Sequence, residues 1–581
     1  MVSLVIEKFC VHIKWKGAGS MAKLNIPVGV SDFAELRSNG YYYVDKSGLI
    51  REMLTSSAAK VTLITRPRRF GKTLGMSMLE NFFNIRKNSE KLFENLEISG
   101  NRELCDQWMN QWPVIFFSLK DIDGLDFQSA YDRLVVQLSN LCKMHVYLLQ
   151  SEAIDPDDKK VFLELKAGTA SEAQVGFSLN TLMRMMESYY RKPVILLLDE
   201  YDVPLAKASS NGYYKEMLSV IKGMMSTALK DNPFLKFAII TGCLKIAKES
   251  IFTGTNNLVS DTITDTWLNE YFGFIQKDVE QILRDAGSID YLERVKSWYD
   301  GYHFGRMDVY CPWDVMNYIR DIQRDSDTRP KSYWMNTSDN GIIRSFIDIA
   351  GSNITKKLET LLNGGYILQR IDENLTYDYL HSSEDNLWSI LYLTGYLTSI
   401  RENELKEKLP DGISALMIPN AEIREIFETT VIQWFDDSAK AWDRKKMFSA
   451  VWKGDSRTVM EEMNRLLRKT ISYHDYREDF YHAFLAGIFA GAGYVVESNK
   501  EHGEGRSDVV VYDPEEGRVA IFEAKYSKTL ETMDTDCQKA LDQINEKMYA
   551  KEYEDDFDHI LCYGVSFFKK RCCIKLKDAK V

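Results

Sequence analysis

Gly71, Lys72 and Thr73 follow a basic stretch, Arg66, Arg68 and Arg69, and fit the end of the G-x-x-x-x-G-K-[ST] pattern. In that pattern loop N–H groups cradle phosphates, the lysine reaches the β- and γ-phosphates, and the hydroxyl holds Mg²⁺. Arg66 stands where the pattern has its first glycine, and Pro67 behind it has no N–H to give. The amides offered to a phosphate therefore run from Arg69 through Phe70, Gly71 and Lys72 to Thr73, with Leu74 next in the first helical turn. The side chains of Arg66, Arg68 and Arg69 supply charge where backbone donors are missing. Asp199 and Glu200 close a second apolar run. Asp199 is placed to hold Mg²⁺, often through water, and Glu200 to polarise the water that attacks a γ-phosphate. Thr241 closes a third run, where a polar residue near the γ-phosphate is expected. Lys245 and Lys248 follow on one helical face, which either offsets transition-state charge or faces solvent.

Asp508, Glu523 and Lys525 form a second constellation. The tripeptide Glu523-Ala524-Lys525 is a weak signal alone, since Glu164-Leu165-Lys166 and Glu404-Leu405-Lys406 share its form. Its surroundings distinguish it: 507–512 and 518–525 read as strands on either side of a turn at 513–517. A turn centred between Glu515 and Glu516 pairs Tyr512 with Val519 and Asp508 with Glu523. Residues opposite one another in an antiparallel pair share a face, as do residues two apart, so Asp508, Glu523 and Lys525 converge. Two carboxylates suit Mg²⁺ or Mn²⁺, with the Ala524 carbonyl as a further ligand, and Lys525 orients or deprotonates the water that attacks a phosphodiester. Glu478, on the preceding helix, is expected to complete the acidic set, with Glu497 as second choice. A structural ion pair on a sheet edge is the alternative.

These residues need elements to hold them. Val61, Leu63 and Ile64 supply a strand before the basic loop, and from Thr73 onward only Gly75 interrupts a run of helix formers, whose N-terminus adds a positive end. Residues 194–198 are five consecutive apolar residues, suited to a strand covered on both faces as in a parallel sheet. Residues 114–120 and 234–241 read as further sheet strands and 213–230 as a helix. Strand ends are where open α/β sheets bind ligands. Further on, 387–398 reads as a helix leading into a strand, 401–412 as a charged tip, and 413–417 as the returning strand. Such a winged-helix-like unit binds DNA or serves as a packing module or lid. A helix follows over 421–437, and the 14 apolar residues at 483–496 read as a buried helix ending near Gly491 or Gly493 and then a strand.

RPRRFGKT followed by LLLDEYD resembles the AAA-ATPase-like family of prokaryotic proteins, whose members carry a PD-(D/E)XK nuclease-like domain at the C-terminus. YYYVDKS at 41–47, TGCLKIAKESIFTGTNNL at 241–258 and WYDGYHFG at 298–305 resemble the same family, and the likeness begins near Ile26. The resemblance implies ATP as the nucleotide and an arginine-proline loop as the usual form. It also implies that 26–54 lies beside the nucleotide, so that Phe33, Tyr42 or Tyr43 either packs on adenine or is plain core. Gln543, on a helix expected over 536–549, resembles the glutamine of many PD-(D/E)XK nucleases. The implied fold class is α/β: an extension at 1–20, a P-loop NTPase (AAA-like) parallel-sheet domain at 21–270, a helical and winged-helix-like middle region at 271–440, and a restriction-endonuclease-like α/β domain at 441–581. ATP binding or hydrolysis is expected to control a metal-dependent nuclease on DNA, in defence or mobile-element biology. The alternative is a nucleotide-dependent switch that binds a protein or nucleic-acid partner without cutting.

The totals bound these expectations. At 581 residues the chain is expected to hold roughly three or four domains. Hydrophobic content of 45% and charged content of 27% describe an ordinary soluble globular protein. A net charge of −12 excludes a protein coated in positive charge, so any DNA contact is a local groove. Nine cysteines, odd in number and without a C-x-x-C pair, argue against a disulfide framework or structural zinc site and fit a reducing cytoplasm. Residues 1–20 fail as a signal peptide because Glu7 and Lys8 break their apolar run, and no run reaches the ~18 residues of a membrane span. The oligomeric state is left open, a homo-oligomer included.

Overall fold

The computed structural model describes residues 23–246 (without 57–58), 258–334, 357–375 (without 359), 377, 384–430 (without 406–407 and 411), 445–470, 481, 485–486, 488–489, 494–502 and 505–578. The extension at 1–20, Lys248 and Glu478 lie outside them. The described residues divide into two compact units, one within Met1–Ser338 and Leu368–Arg424, the other within Asp339–Ile367 and Glu425–Val581. Most of the region set apart above as 271–440 thus groups with the first unit.

Five parallel strands carry that first unit: β1 (Val61–Thr65), β2 (Val114–Ser118), β3 (Val194–Asp199), β4 (Leu235–Gly242) and β5 (Leu258–Asp261), in the order β2-β3-β4-β1-β5. β1 and β3 are buried along their whole length, as strands covered on both faces must be, which explains their unbroken apolar sequences. β4 lies between them, with Thr241 beside Ile64 and Ile240 beside Leu198, while Ser118 at the end of β2 sits beside Asp199. The C-terminal ends of four strands therefore meet where the basic loop leaves β1. Behind that loop the helix Lys72–Phe83 buries Met76, Leu79, Phe82 and Phe83 in a core shared with Phe33, Ile64, Ile195 and Ile239.

The hairpin β6 (Tyr302–Phe304) and β7 (Met307–Val309) belongs to the WYDGYHFG stretch. Gly301, at φ +108°, has no room for a Cβ, which would lie 2.0 Å from the Pro419 carbonyl oxygen. That close approach sets Tyr302 and Phe304 against the buried Phe70 ring, with centroids 5.1 and 5.0 Å away. A small sheet follows, β8 (Ile367–Arg370), β9 (Thr398–Ser399) and β10 (Ile413–Met417), in the order β8-β10-β9. The helix Glu384–Leu393 precedes β9, and β9 pairs antiparallel with β10, which matches the expected helix and hairpin.

The second unit is built on a sheet in the order β11-β12-β13-β14-β15: β11 (Val495–His502), β12 (Gly505–Asp513), β13 (Arg518–Tyr526), β14 (His559–Phe568) and β15 (Arg571–Asp578). Only β13 and β14 run parallel; the other neighbours are antiparallel. Period-two alternation sends Val509, Val511, Ala520 and Phe522 to one face, against the helices Lys445–Trp452 and Ser456–Thr470 and the buried Leu485, Ile488 and Phe489. Val510, Val519 and Ile521 face the other way, onto Leu541 and Ile544 of the helix Met533–Glu546. Among the described residues, no helix is long and apolar enough to cross a membrane.

Candidate active sites

In the first unit the loop enters its helix through Gly71 at φ +83°. Two non-glycine residues nearby also take left-handed backbone, Arg69 at φ +71° and Glu200 at φ +53°. Each such residue costs about 1–2 kcal/mol, and strain of this kind gathers at working sites. Lys72 Nζ lies 3.1 Å from the carbonyl oxygens of both Arg66 and Pro67, 3.4 Å from Glu200 Oε1 and 3.7 Å from Cys243 Sγ. Burial by itself lowers the affinity of this amine for its proton. Cys243 and the surrounding carboxylates of Glu200, Asp202 and Asp199 outweigh burial and hold it above its ordinary pKa, so the ammonium stays charged.

Asp199 is the centre of this site. Thr241 Oγ1 donates to its Oδ1 at 2.7 Å, and Thr73 Oγ1 and Ser118 Oγ reach its Oδ2 at 2.9 and 3.3 Å. Burial pushes the Asp199 carboxyl up, against the lowering effect of the Thr241 and Thr73 hydroxyls. A hydroxyl and a carboxylate at this separation form an oxygen donor pair that fits Mg²⁺. Asp202, the last residue of DEYD, accepts from the N–H groups of Cys243 and Leu244, each at 3.0 Å, and from Tyr377 Oη at 3.0 Å. It thereby fixes the turn after β4. Lys245 is partly buried on that turn.

A cleft of about 330 Å³ opens beside the loop, lined by Tyr42, Tyr43, Arg69 through Gly75, Glu200, Phe274 and Trp313. Aromatic walls beside a row of loop amides suit a base linked to phosphates. Of the three rings weighed for adenine, Tyr42 and Tyr43 line the cleft, whereas Phe33 is fully buried on Tyr43 and Phe93 and is core. Leu74 lines the cleft as expected of its position, and Phe70 borders it while packed on the β6 aromatics.

Arg66 requires a correction. Its guanidinium is fully buried and donates to Asp261 Oδ2 at 2.5 Å, Asn269 Oδ1 at 2.8 Å, and the carbonyls of Thr65 and Asp261. It also lies 5.5 and 5.7 Å from the ring centroids of Phe272 and Phe304. Held by both its Nη groups to β1, the edge strand β5 and Asn269, it braces the loop from behind and is buried away from the cleft. Arg68 is half-buried on the loop, and Arg69 faces the cleft.

In the second unit the observed register pairs Tyr512 with Val519 and Val509 with Phe522, so the next rung sets Asp508 opposite Glu523. The turn is a short 3₁₀ segment, Pro514–Glu516, closed by Gly517 at φ +61°. Asp508 Oδ2 accepts the Ala524 N–H at 2.8 Å, and Lys525 Nζ lies 3.2 Å from Glu523 Oε1. Gln543, on the helix Met533–Glu546, donates to the same Glu523 oxygen and reaches Tyr549 Oη at 3.4 Å. Asp508, Glu523, Lys525 and Gln543 thus converge on the face covered by that helix. Two carboxylates with an amide and an ammonium fit a hard divalent cation. Among the described residues, no group of three or more His, Cys, Asp or Glu side chains is arranged so that it could hold a metal ion. Glu497 lies on the same face but accepts from Tyr512 Oη at 2.5 Å, two rungs away from Asp508, so it does not join the pair.

The residues that sequence reasoning missed are Asp202, Tyr377 and Trp313. The DEYD string offered a signal for Asp202, because its spacing of three from Asp199 sets it in the turn that leaves β3. Nothing local pointed to the other two.

Comparison with known proteins places a family match over each of the two regions that hold these sites. Residues 27–252 match the family model described as predicted AAA-ATPase, and residues 476–577 match the PD-(D/E)XK nuclease superfamily model. The chain therefore carries an AAA-ATPase-like domain and a C-terminal nuclease-superfamily domain. It is also 23% identical over 561 residues to an uncharacterized protein in the vnfD 5′ region of Azotobacter chroococcum mcd 1, covering 94% of this chain and 97% of that protein.

Proposed function

We propose that this protein binds and hydrolyses ATP in its first unit and thereby controls Mg²⁺- or Mn²⁺-dependent cleavage of DNA by its second unit. The observation that carries this reading is that one chain gathers two separate clusters of side chains whose chemistry suits these two reactions. Lys72, Thr73, Asp199, Glu200 and Thr241 meet at one set of strand ends, and Asp508, Glu523, Lys525 and Gln543 meet on one sheet face.

At the first site the amides from Arg69 to Thr73 hold the phosphates and Lys72 turns from the Arg66 and Pro67 carbonyls onto them. Thr73 and Asp199 would hold Mg²⁺, Thr241 fixes the orientation of Asp199, and Glu200 orients and polarises the attacking water. Lys245 offsets charge from the turn after β4. At the second site Asp508 and Glu523 would hold the divalent cation, which would supply a water of lowered pKa. Gln543 keeps Glu523 in place, and Lys525 orients the nucleophile and offsets charge on the phosphorane. The protein acts in the cytoplasm, in defence against foreign DNA or in mobile-element biology, and an assembly of several copies is compatible with this mechanism.

The test is cleavage of single-stranded, duplex and circular DNA with Mg²⁺ or Mn²⁺, with and without ATP, comparing the native chain with Lys525→Ala and Lys72→Ala. Metal-dependent cutting that Lys525→Ala abolishes and Lys72→Ala uncouples from ATP is the expected result. Cutting that survives Lys525→Ala, or that ignores ATP, contradicts the reading.

A further inference from the structure

Arg69 belongs to the phosphate loop and faces the cleft, yet its guanidinium is committed elsewhere. Its Nη1 donates to the Tyr333 carbonyl at 3.3 Å, and its Cζ stacks 4.9 Å from the Trp313 ring centroid. Trp313, which also lines the cleft, donates its indole N–H to the same carbonyl at 3.4 Å. The far side of this peptide is gripped as well: the N–H groups of Tyr333 and Trp334 both donate to Glu422 Oε1, at 2.5 and 2.8 Å. Glu422 is fully buried beside Asp314, the neighbour of Trp313, and the Trp334 ring stacks on Tyr396 with centroids 5.3 Å apart. Burial, and after it the neighbouring Asp314, push the Glu422 carboxyl well above the ordinary carboxylate range.

These positions have a topological meaning. The chain passes from the first unit to the second after Ser338 and again after Arg424. Trp334 stands just before the first of these exits and Glu422 just before the second. Resting on the reading that the cleft binds ATP, we propose that Arg69 is a positioning residue that passes nucleotide occupancy to both exits, through Tyr333 and Glu422. A phosphate entering the cleft competes with the Tyr333 carbonyl for the guanidinium, since charge-assisted bonds to phosphate are stronger than bonds to a neutral carbonyl. Arg69 sits in left-handed backbone between the anchored Phe70 and the loop, so a change of its partner is felt by the peptide it holds. The exit segments meet at one carboxyl group, which makes them respond together.

Amide hydrogen exchange of the full chain tests this, with Mg²⁺ and a non-hydrolysable ATP analogue as the probe. Three peptides are followed: 69–74 for binding, 331–334 for the first exit and 418–424 for the second. In the native chain the analogue is expected to protect 69–74 and to change exchange at both exits by about tenfold, the effect of one hydrogen bond gained or lost. In Arg69→Gln, compared at the analogue concentration that saturates that variant, the exits are expected not to respond. In Glu422→Ala the response at 331–334 persists and that at 418–424 is lost, whereas Glu422→Gln, which keeps the acceptor oxygen, restores it. If Arg69→Gln no longer binds the analogue, or Glu422→Ala fails to fold, the remaining variant and the native chain decide. Protection of 69–74 with silent exits in the native chain, or an exit response that survives Arg69→Gln, overturns the inference and leaves the ATP reading intact. No response at 69–74 in the native chain overturns the ATP reading and this inference with it.

Discussion

Arg66→Met, alone and together with Asp261→Leu, separates a brace from a phosphate ligand. Arg66 is fully buried, and Asp261, at 1% exposure, receives its guanidinium at 2.5 Å. Removing the arginine alone leaves the Asp261 carboxylate buried without its cation, which costs about 3–5 kcal/mol. Unfolding a unit of about 400 residues carries an entropy of roughly 0.8 kcal/mol/K, so a loss of ~4 kcal/mol lowers its Tm by about 5 °C. Replacing both partners with apolar residues removes the stranded charge, and most of that loss is expected to return. The sign of the pH dependence is also fixed. Burial already raises Asp261, with Arg66 opposing the rise, so Arg66→Met raises it further. The folded variant then binds more protons than its unfolded chain, and its deficit shrinks as pH falls toward the unfolded aspartate value near 4. Differential scanning calorimetry at pH 5 and 8, with titration of an ATP analogue into each variant, gives the readout. The brace account predicts that the double variant recovers Tm and binds the analogue within about threefold of the native chain. A double variant that recovers Tm but loses binding by a hundredfold would refute it and return Arg66 to the phosphates.

Glu200→Gln is expected to keep ATP binding and lose turnover by about 10²-fold or more, measured as phosphate release. Thr241→Val removes the 2.7 Å bond to Asp199; the Mg²⁺ requirement of turnover is expected to rise about 10–100-fold, as for other groups that orient a metal ligand. Gln543→Glu sets a like charge against Glu523, and the Mn²⁺ concentration for half-maximal cleavage is expected to rise, with Gln543→Ala intermediate. Burial and the neighbouring Asp314 hold the Glu422 carboxyl well above its ordinary value, so its contribution to stability is intact below the ordinary carboxylate range and declines as pH rises through neutrality. Glu422→Gln is therefore expected to flatten the fall in first-unit Tm between pH 6 and 9.

What the sequence disclosed depended on range. The β12–β13 pairing was legible because two apolar-rich stretches flank one short turn, whose centre between Glu515 and Glu516 fixes the phase, and the observed Tyr512–Val519 rung matches it. The ends of β1 and β3 were legible for the same local reason, an apolar run stopped by polar residues. Arg66 was not, because its partners Asp261 and Asn269 lie 195 and 203 positions away, and an arginine beside a phosphate loop reads as a ligand until burial is known. Phe33 was ambiguous because an aromatic ring has the same composition in a core and in a base-binding wall. β5, four residues long and only partly buried, gave no apolar run to detect. The helix carrying Gln543 begins three residues before its expected start, which moved a boundary without moving the glutamine from its face.

The edge strand β5 also bears on how the first unit can be isolated. The family match ends at residue 252, before β5 begins at Leu258 and well before Asn269 and the β6 aromatics. A recombinant fragment cut to the matched residues would uncover the hydrogen-bonding side of β1, the apolar strand that carries the phosphate loop, and leave Arg66 a buried cation without its carboxylate. Exposed strand edges of that composition recruit other chains, so such a fragment is expected to aggregate. A soluble fragment needs β5, β6 and the segment returning at Leu368–Arg424.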